Sequence, residues 1–373
     1  YSPERMPMNS EYEIVRPESL VNFCRDVFGR LEVSLPDART VAEVLVAADL
    51  RGIDSHGVAR LRRYVRGLKE GIMLPNPGLK IVYETPLSAL LDGGAALGQI
   101  AGKRGMETAI SKALRNGAGF VAVQNSNHFG IAGYYSQMAL RHDLIGIALT
   151  NSTPDVVPTF GREVMLGTNP ISVAVPAGGE RPYVLDMSTA VITSGKLESQ
   201  SRKGEKIPLG WAVDEKGELC DDPASVYANM RAKRGGGLLP LGGSGEDFGG
   251  HKGYGLGLLV DIFSGVLSSS ANTTLLYPKT PEGKSLPSRV GHFFGALRVD
   301  LFRPLEGFKM DMDDLIRRLK TSPKAEGQQR IYIHGEKEFE LEQKYRQEGI
   351  PLHFKVFEDL RAIAGEVGIE FSL

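Results

Sequence analysis

The chain has 373 residues, too many for one ordinary hydrophobic core, so two or three lobes are expected. Its 44 Lys and Arg against 45 Asp and Glu give a net charge of -1, which excludes a general electrostatic pull toward nucleic acid or anionic membrane. Cys24 and Cys220 stand far apart, and no apolar run approaches the ~20 residues of a membrane helix; disulfide framework, zinc cluster and membrane span are excluded, and a cytoplasmic chain is expected. No charged-then-apolar leader is read at the start. Tyr1, with Met6 and Met8 close behind, is read as an expression remnant or frayed arm and set aside.

From Pro17 to about Leu31, and from Pro36 to about Ile53, the sequence reads as helix, the second with Val41, Val44, Leu45 and Ala48 on one stripe. Arg51-Gly-Ile-Asp-Ser-His-Gly-Val-Ala-Arg60 follows. With helix resuming near Ser55, His56 and Arg60 share a face, and a proton-transfer group points together with a carboxylate-binding fork. A capped helix with solvated arginines fits the same spacing. Pro75 to Pro77 is taken as a lobe boundary. Strands are expected at Lys80 to Tyr83 and Leu87 to Leu91, and a helix at Gln99 to Asn116.

The stretch Gly119 to Gly130 then runs an apolar strand, Phe120 to Val123, into Gln-Asn-Ser-Asn and delivers His128 before a helix from Ile131 to Arg141. A histidine there is positioned for chemistry at a sheet edge, or merely hydrogen-bonds the turn. Leu144 to Leu149 is a second strand, ending in Thr150-Asn-Ser152-Thr. Ile171 to Val175 is a third, and Tyr183 to Leu185 a fourth, ending in Asp186-Met187-Ser188. Asp186 is suited to a ribose hydroxyl, or to capping the helix that follows it.

Lys196 to Lys206 reads as exposed and polar, and Trp211 begins a strand entering a tight turn. Glycine is dense from Gly235 to Gly250, ahead of His251-Lys252-Gly253. Such a loop and a helix from about Tyr254 suit an anion, phosphate above all; a flexible surface loop has the same composition. Beyond it, Gly295 to Leu301 reads as strand, Asp311 to Leu319 as helix, Arg330 to Ile333 as strand, and Val356 to Val367 as an amphipathic helix. Neither Gly-x-Gly-x-x-Gly between strand and helix, nor a P-loop, His-Glu-x-x-His or Gly-x-Ser-x-Gly occurs. Rossmann, ATPase, zinc-protease and serine-hydrolase readings therefore fall away, and no metal is expected.

Asp54-Ser-His-Gly-Val-Ala-Arg60, Asn127-His-Phe-Gly130, Gly167-Thr-Asn-Pro170, Asp186-Met-Ser188, Gly195-Lys196, His251-Lys-Gly-Tyr-Gly255 and Glu348-Gly-Ile-Pro351 resemble, in order, the type-2 malate/L-lactate dehydrogenase family. The resemblance runs from about Pro17 to Ile369. It implies an α/β (α+β) fold: a non-Rossmann cofactor domain with a mostly antiparallel sheet, plus a helical lobe of N- and C-terminal segments. The expected division is 14–75 and 306–373 for that lobe and 76–305 for the cofactor and substrate domain. It also implies a homodimer that uses NAD or NADP to interconvert a 2-hydroxy and a 2-oxo acid, L-malate first. L-lactate, sulfolactate, ureidoglycolate, a cyclic imine or a diketo sugar acid are alternative substrates on the same fold, and a silent nicotinamide- or carboxylate-binding protein is the alternative of another class.

Carried over by position, His128 and His56 match histidines to which proton transfer is ascribed. Arg60, Ser152, Ser55 and Thr168 match substrate positions. Asp186, Met187 and Ser188, His251, Lys252 and Gly253, and Gly335, Glu336 and Lys337 match cofactor segments. The Gly-rich stretch 235–250 and the polar segment 198–206 depart from the pattern.

Overall fold

A computed structural model describes residues 11–373, so Tyr1, Met6 and Met8 lie outside the described residues. In chain order the first elements are β1 (Tyr12–Val15), α1 (Pro17–Arg30), α2 (Leu35–Leu50) and α3 (Leu61–Lys69). Pro17 opens α1 at a position where a missing N–H costs nothing, and Ser34 caps α2 through the Asp37 N–H. Next come β2 (Lys80–Glu84), β3 (Ser88–Asp92), α4 (Gly98–Asn116), β4 (Ala118–Ser126), α5 (Ala132–Met138), β5 (Leu144–Thr150), β6 (Ile171–Val175) and β7 (Tyr183–Met187). The middle of the chain adds α6 (Ser194–Lys203), β8 (Ala212–Val213), α7 (Pro223–Arg231), β9 (Gly237–Leu238) and α8 (Gly250–Asp261). β10 (Val290–Arg298), α9 (Leu305–Thr321), α10 (Glu336–Glu348), β11 (Ile350–His353) and α11 (Phe354–Val367) complete it.

Two compact units result, one of the described residues through Glu70 with Lys337–Leu373, the other of Gly71–Glu336. The return to the first unit thus begins at Lys337 rather than near residue 306. The reason is Asp313 on α9, whose carboxylate accepts the backbone N–H groups of Gly178, Gly179 and Glu180 at 2.7–3.1 Å and ties that helix to the β6–β7 connection. In the first unit β1 and β11 pair antiparallel, and Phe23 and Phe28 of α1, Leu45 of α2, Tyr64 of α3 and Ile363 of α11 are buried.

The second unit is built on a seven-stranded sheet in the order β2-β3-β4-β10-β5-β6-β7. Only β3 with β4 is parallel among these neighbours; every other pair is antiparallel. Alternation along β4 sends Val121 and Val123 into a core with Met106 of α4, Tyr135 of α5 and Phe294 of β10, and Ala122 to the other face with Phe293 and Val260 of α8. A separate apolar cluster, with Ile192, Leu197, Val226 and Leu238, holds α6, α7 and the β8–β9 pair together. Two strand readings change: β10 begins at Val290, five residues before Gly295, and Arg330 to Ile333 forms no strand, the His334 carbonyl just after it accepting the Val184 N–H at 3.1 Å.

Candidate active site

Strand direction gathers the polar ends on one edge. Because β10 and β6 run antiparallel to their neighbours, the carboxyl ends of β3, β4, β5 and β7 all reach the same rim, beside the amino ends of β10 and β6. His128 follows β4 there, Ser152 follows β5, Thr168 precedes β6, and Asp186 and Met187 close β7 ahead of Ser188.

The His128 loop is held by backbone. Asn127 donates its amide to the carbonyls of Ala95 and Ala96 at 3.2 and 2.8 Å. A Cβ on Gly98 would lie 2.1 Å from the Asn127 carbonyl oxygen and 2.4 Å from that of His128, so only glycine lets α4 start this close. The Gly130 N–H lies 3.4 Å from His128 Nδ1.

The Ser152 and Thr168 hydroxyls lie 3.2 Å apart. Asn169 secures the pair: its side chain accepts the Ser152 N–H at 3.1 Å and donates to the Gly257 carbonyl of α8 at 2.9 Å. Ser188 donates to the Thr168 carbonyl at 3.1 Å. Asp186 does not cap the helix after it. Its carboxylate accepts the Gly133 N–H at 2.7 Å, serving the first turn of α5, which precedes it in sequence.

Beneath the rim lies a polar layer that periodicity did not disclose. His292 of β10 is fully buried, with Nδ1 2.7 Å from Thr150 Oγ1 and Nε2 2.8 Å from Ser126 Oγ, and burial pushes it down to about 3. Asn151 receives the Gly291 N–H at 3.0 Å and donates to the Asp261 carboxylate at 3.0 Å. Burial raises Asp261 against the opposing bonds from Asn151 and the Thr273 N–H. The sequence signal is a polar His292 next to Phe293-Phe294, which a strand beginning at Gly295 leaves out.

In the first unit, Ser55, His56 and Arg60 do not share a helical face. Asp54–His56 and Val58–Arg60 are two single 3-10 turns, broken at Gly57, where the chain is extended. Gly57 packs on buried Asp49, whose Oδ2 accepts the Val58 N–H at 2.8 Å; a Cβ on Gly57 would sit 1.8 Å from the other carboxylate oxygen, Oδ1. Ser55 Oγ lies 2.9 Å from His56 Nδ1, and Arg60 Nε donates to the Ser55 carbonyl at 2.6 Å. Burial, then the charges of Arg60 and Arg63, push His56 down to about 4.

The expected cofactor segments lie on different elements. α8 starts at Gly250, not Tyr254, which puts His251, Lys252 and Gly253 in its first turn, Lys252 exposed. His251 Nδ1 is buried with no hydrogen-bond partner among the described residues. Glu336 is buried in ion pairs with Lys320 at 2.7 Å and Arg330 at 3.4 Å and also accepts the Ile333 N–H. Burial opposes its charge, but these partners outweigh it and hold the carboxyl below the usual range. Gly335 precedes it with φ 92°, and Lys337 is exposed in the first unit.

A family model described as malate/L-lactate dehydrogenase matches residues 15–361. The malate dehydrogenase of Pyrococcus abyssi is 47% identical, covering 98% of this chain and 98% of its own. The L-sulfolactate dehydrogenase of Methanocaldococcus jannaschii is 40% identical over 96% of this chain and 98% of its own. Among solved structures, the malate dehydrogenase of Pyrococcus horikoshii OT3 superposes with a TM-score of 0.88 at 42% identity, over 99% of each chain.

Proposed function

The chain belongs to the malate/L-lactate dehydrogenase family and is a hydroxy-acid dehydrogenase served by a nicotinamide cofactor, and from that premise we propose that it interconverts L-malate and oxaloacetate. The observation that carries this reading is the shared rim, where His128, the Ser152–Thr168 hydroxyl pair and Asp186 stand at neighbouring strand ends of one rigid sheet.

A bound nicotinamide would supply the hydride chemistry at the carbinol carbon of malate. His128 takes the hydroxyl proton in oxidation and gives it back in reduction, a role that suits imidazole, whose ordinary pKa is ~6.5. His56, pushed down to about 4, is neutral near pH 7 and suits polarising the substrate oxygen better than storing a proton. Arg60 binds the C1 carboxylate; with Nε given to Ser55, the carboxylate is taken by the terminal amino groups. Ser55, Ser152 and Thr168 orient the substrate.

The fit to a dinucleotide rests on α8, whose positive end carries Lys252 and the buried, unpartnered His251 Nδ1, with Gly253 in its first turn. Asp186, Met187 and Ser188 hold a ribose, and the Gly335–Glu336–Lys337 segment supports the same ligand, Glu336 through its backbone. The cofactor is NAD or NADP. The reading also takes the protein as a cytoplasmic homodimer. Two unpaired cysteines support the first, and the exposed apolar residues Leu259, Ile262, Val266 and Leu267 along α8 and its π-helical extension support the second.

The test is His128→Ala and His56→Ala, each assayed for malate turnover and for NADH binding by fluorescence. Loss of the proton-transfer residue is expected to cost ~10²–10⁴-fold in turnover with cofactor binding kept. Normal turnover in both variants overturns the mechanism, and a panel of sulfolactate, cyclic imines and diketo sugar acids turned over better than malate overturns the substrate.

A further inference from the structure

The rim reading leaves one buried titratable group against the His128 loop without a task. His292 sits on β10, the strand inserted between β4 and β5, just after the register shift that separates Val290 from His292. Its ring is 0% exposed and lies flat on Phe129, centroids 4.6 Å apart and planes within 8°. Phe129 is stacked on its other neighbour as well, Tyr135 at 4.7 Å, and the Tyr135 hydroxyl donates to the Phe129 carbonyl. Ser126, two residues before His128, holds His292 Nε2 at 2.8 Å. The chain is therefore gripped on both sides of His128, at Ser126 and at Phe129, and one imidazole touches both grips.

An aromatic ring alone would keep the stacking on Phe129. What phenylalanine lacks is two nitrogens. Ser126 and Thr150 are both buried, so each hydroxyl needs a partner. A neutral imidazole donates from one nitrogen and accepts at the other, which joins the end of β4 to the end of β5 across β10. Thr150 Oγ1 also lies 3.0 Å from the carbonyls of Asn151 and Gly291, which can only accept. When Thr150 donates to either, Nδ1 carries the ring proton and Nε2 accepts from Ser126.

We propose that His292 is the positioning residue for His128, fixing the proton-transfer imidazole by stacking under Phe129 and by bonding Ser126 and Thr150. The proposal rests on the reading of His128 as the proton-transfer group. His292 touches neither substrate nor cofactor in this account and acts only through the loop.

A double-mutant cycle tests it, because a residue that acts through another has no effect once the other is gone. Wild type, His292→Phe, His128→Ala and the double variant are compared for kcat and KM with L-malate, for the pH profile of kcat, and for NADH affinity. His292→Phe is expected to lower kcat about 10–100-fold through misplacement of the reacting group, to move the limb of the pH profile that belongs to proton transfer, and to leave NADH affinity within about twofold. In the His128→Ala background the same substitution is expected to change kcat less than about twofold. Ser126→Ala removes the Nε2 partner without touching the ring, should give the same pattern at smaller amplitude, and carries the test if His292→Phe does not fold. Equal losses in both backgrounds, or wild-type kcat in His292→Phe or, where that does not fold, in Ser126→Ala, overturn the proposal. Full turnover in His128→Ala alone overturns the reading beneath it, and is told apart because it appears without any change at His292.

Discussion

Asp186 offers the sharpest separation of a structural from a functional role. Its carboxylate accepts the Gly133 N–H at 2.7 Å in the first turn of α5, a charge-assisted bond at the positive end of a helix whose N-cap, Ile131, contributes no side-chain acceptor. Removing an ionised partner from a buried N–H costs about 1.5–3 kcal/mol. In a unit of this size that corresponds to a melting shift of about 3–6 °C. Asp186→Ala is therefore expected to melt lower by that amount, and Asp186→Asn, which keeps an acceptor oxygen, by less than about half of it. Thermal melting of the apo protein reads the cap, and NADH titration reads the ribose contact. If Asp186→Ala melts within about 1 °C of wild type, a bond of this strength is not being made, and the capping argument fails whatever happens to NADH.

Gly98→Ala drives a methyl into the Asn127 and His128 carbonyls; the loop must shift, and kcat is expected to fall about 10²-fold, a wild-type rate refuting the close approach. Acid should destabilise the fold through His292. Held at about 3 against an ordinary 6.5, it leaves the folded state with fewer bound protons than the unfolded state between those values, so stability is intact above pH 6.5 and is lost as pH falls toward 3, by up to ~5 kcal/mol. His56 adds to the loss between 6.5 and about 4, while the raised carboxyls Asp49, Asp155 and Asp261 oppose it. The measurement is accordingly the difference between wild type and His292→Phe in urea midpoint against pH, and parallel curves refute it. Glu336→Gln takes the carboxylate charge from Lys320 and Arg330, Lys320 keeping Glu180 at 3.5 Å, and is expected to cost about 1–3 kcal/mol, with faster hydrogen exchange at the Ile333 amide; unchanged exchange there would show that the ion pairs do not hold the segment.

The parts of the site legible in sequence were those marked by a local change of pattern. Phe120 to Val123 running into polar residues announced His128, and the same transition announced Ser152 and Asp186. Features set by contacts distant in sequence were not legible. Asp49, packed under Gly57, is what splits the Ser55–Arg60 segment into two turns, and nothing in the helical spacing of His56 and Arg60 carries that information. α10 was missed for another reason: from Glu336 to Glu348 it is polar nearly all round, so it has no apolar stripe to count. The early start of α8 was hidden by Gly249 and Gly250, which read as loop by composition.

The order of strands explains why the polar base of the rim belongs to this second class. A strand, a helix and a strand in succession, as in β4-α5-β5, would place the two strands side by side in a doubly wound sheet. Here β10, from more than a hundred residues later, lies between them and pairs antiparallel with both. That insertion keeps β4 and β5 pointing to one rim while separating them by a strand width, and it brings in the side chain that satisfies Ser126 and Thr150. Until β10 is in place those hydroxyls are buried without this partner or left in water, so the His128 loop cannot reach its final geometry before the sheet closes. The proton-transfer residue is thus written locally in the sequence, but the support that makes its position definite is contributed by the strand of the sheet that comes last in the chain.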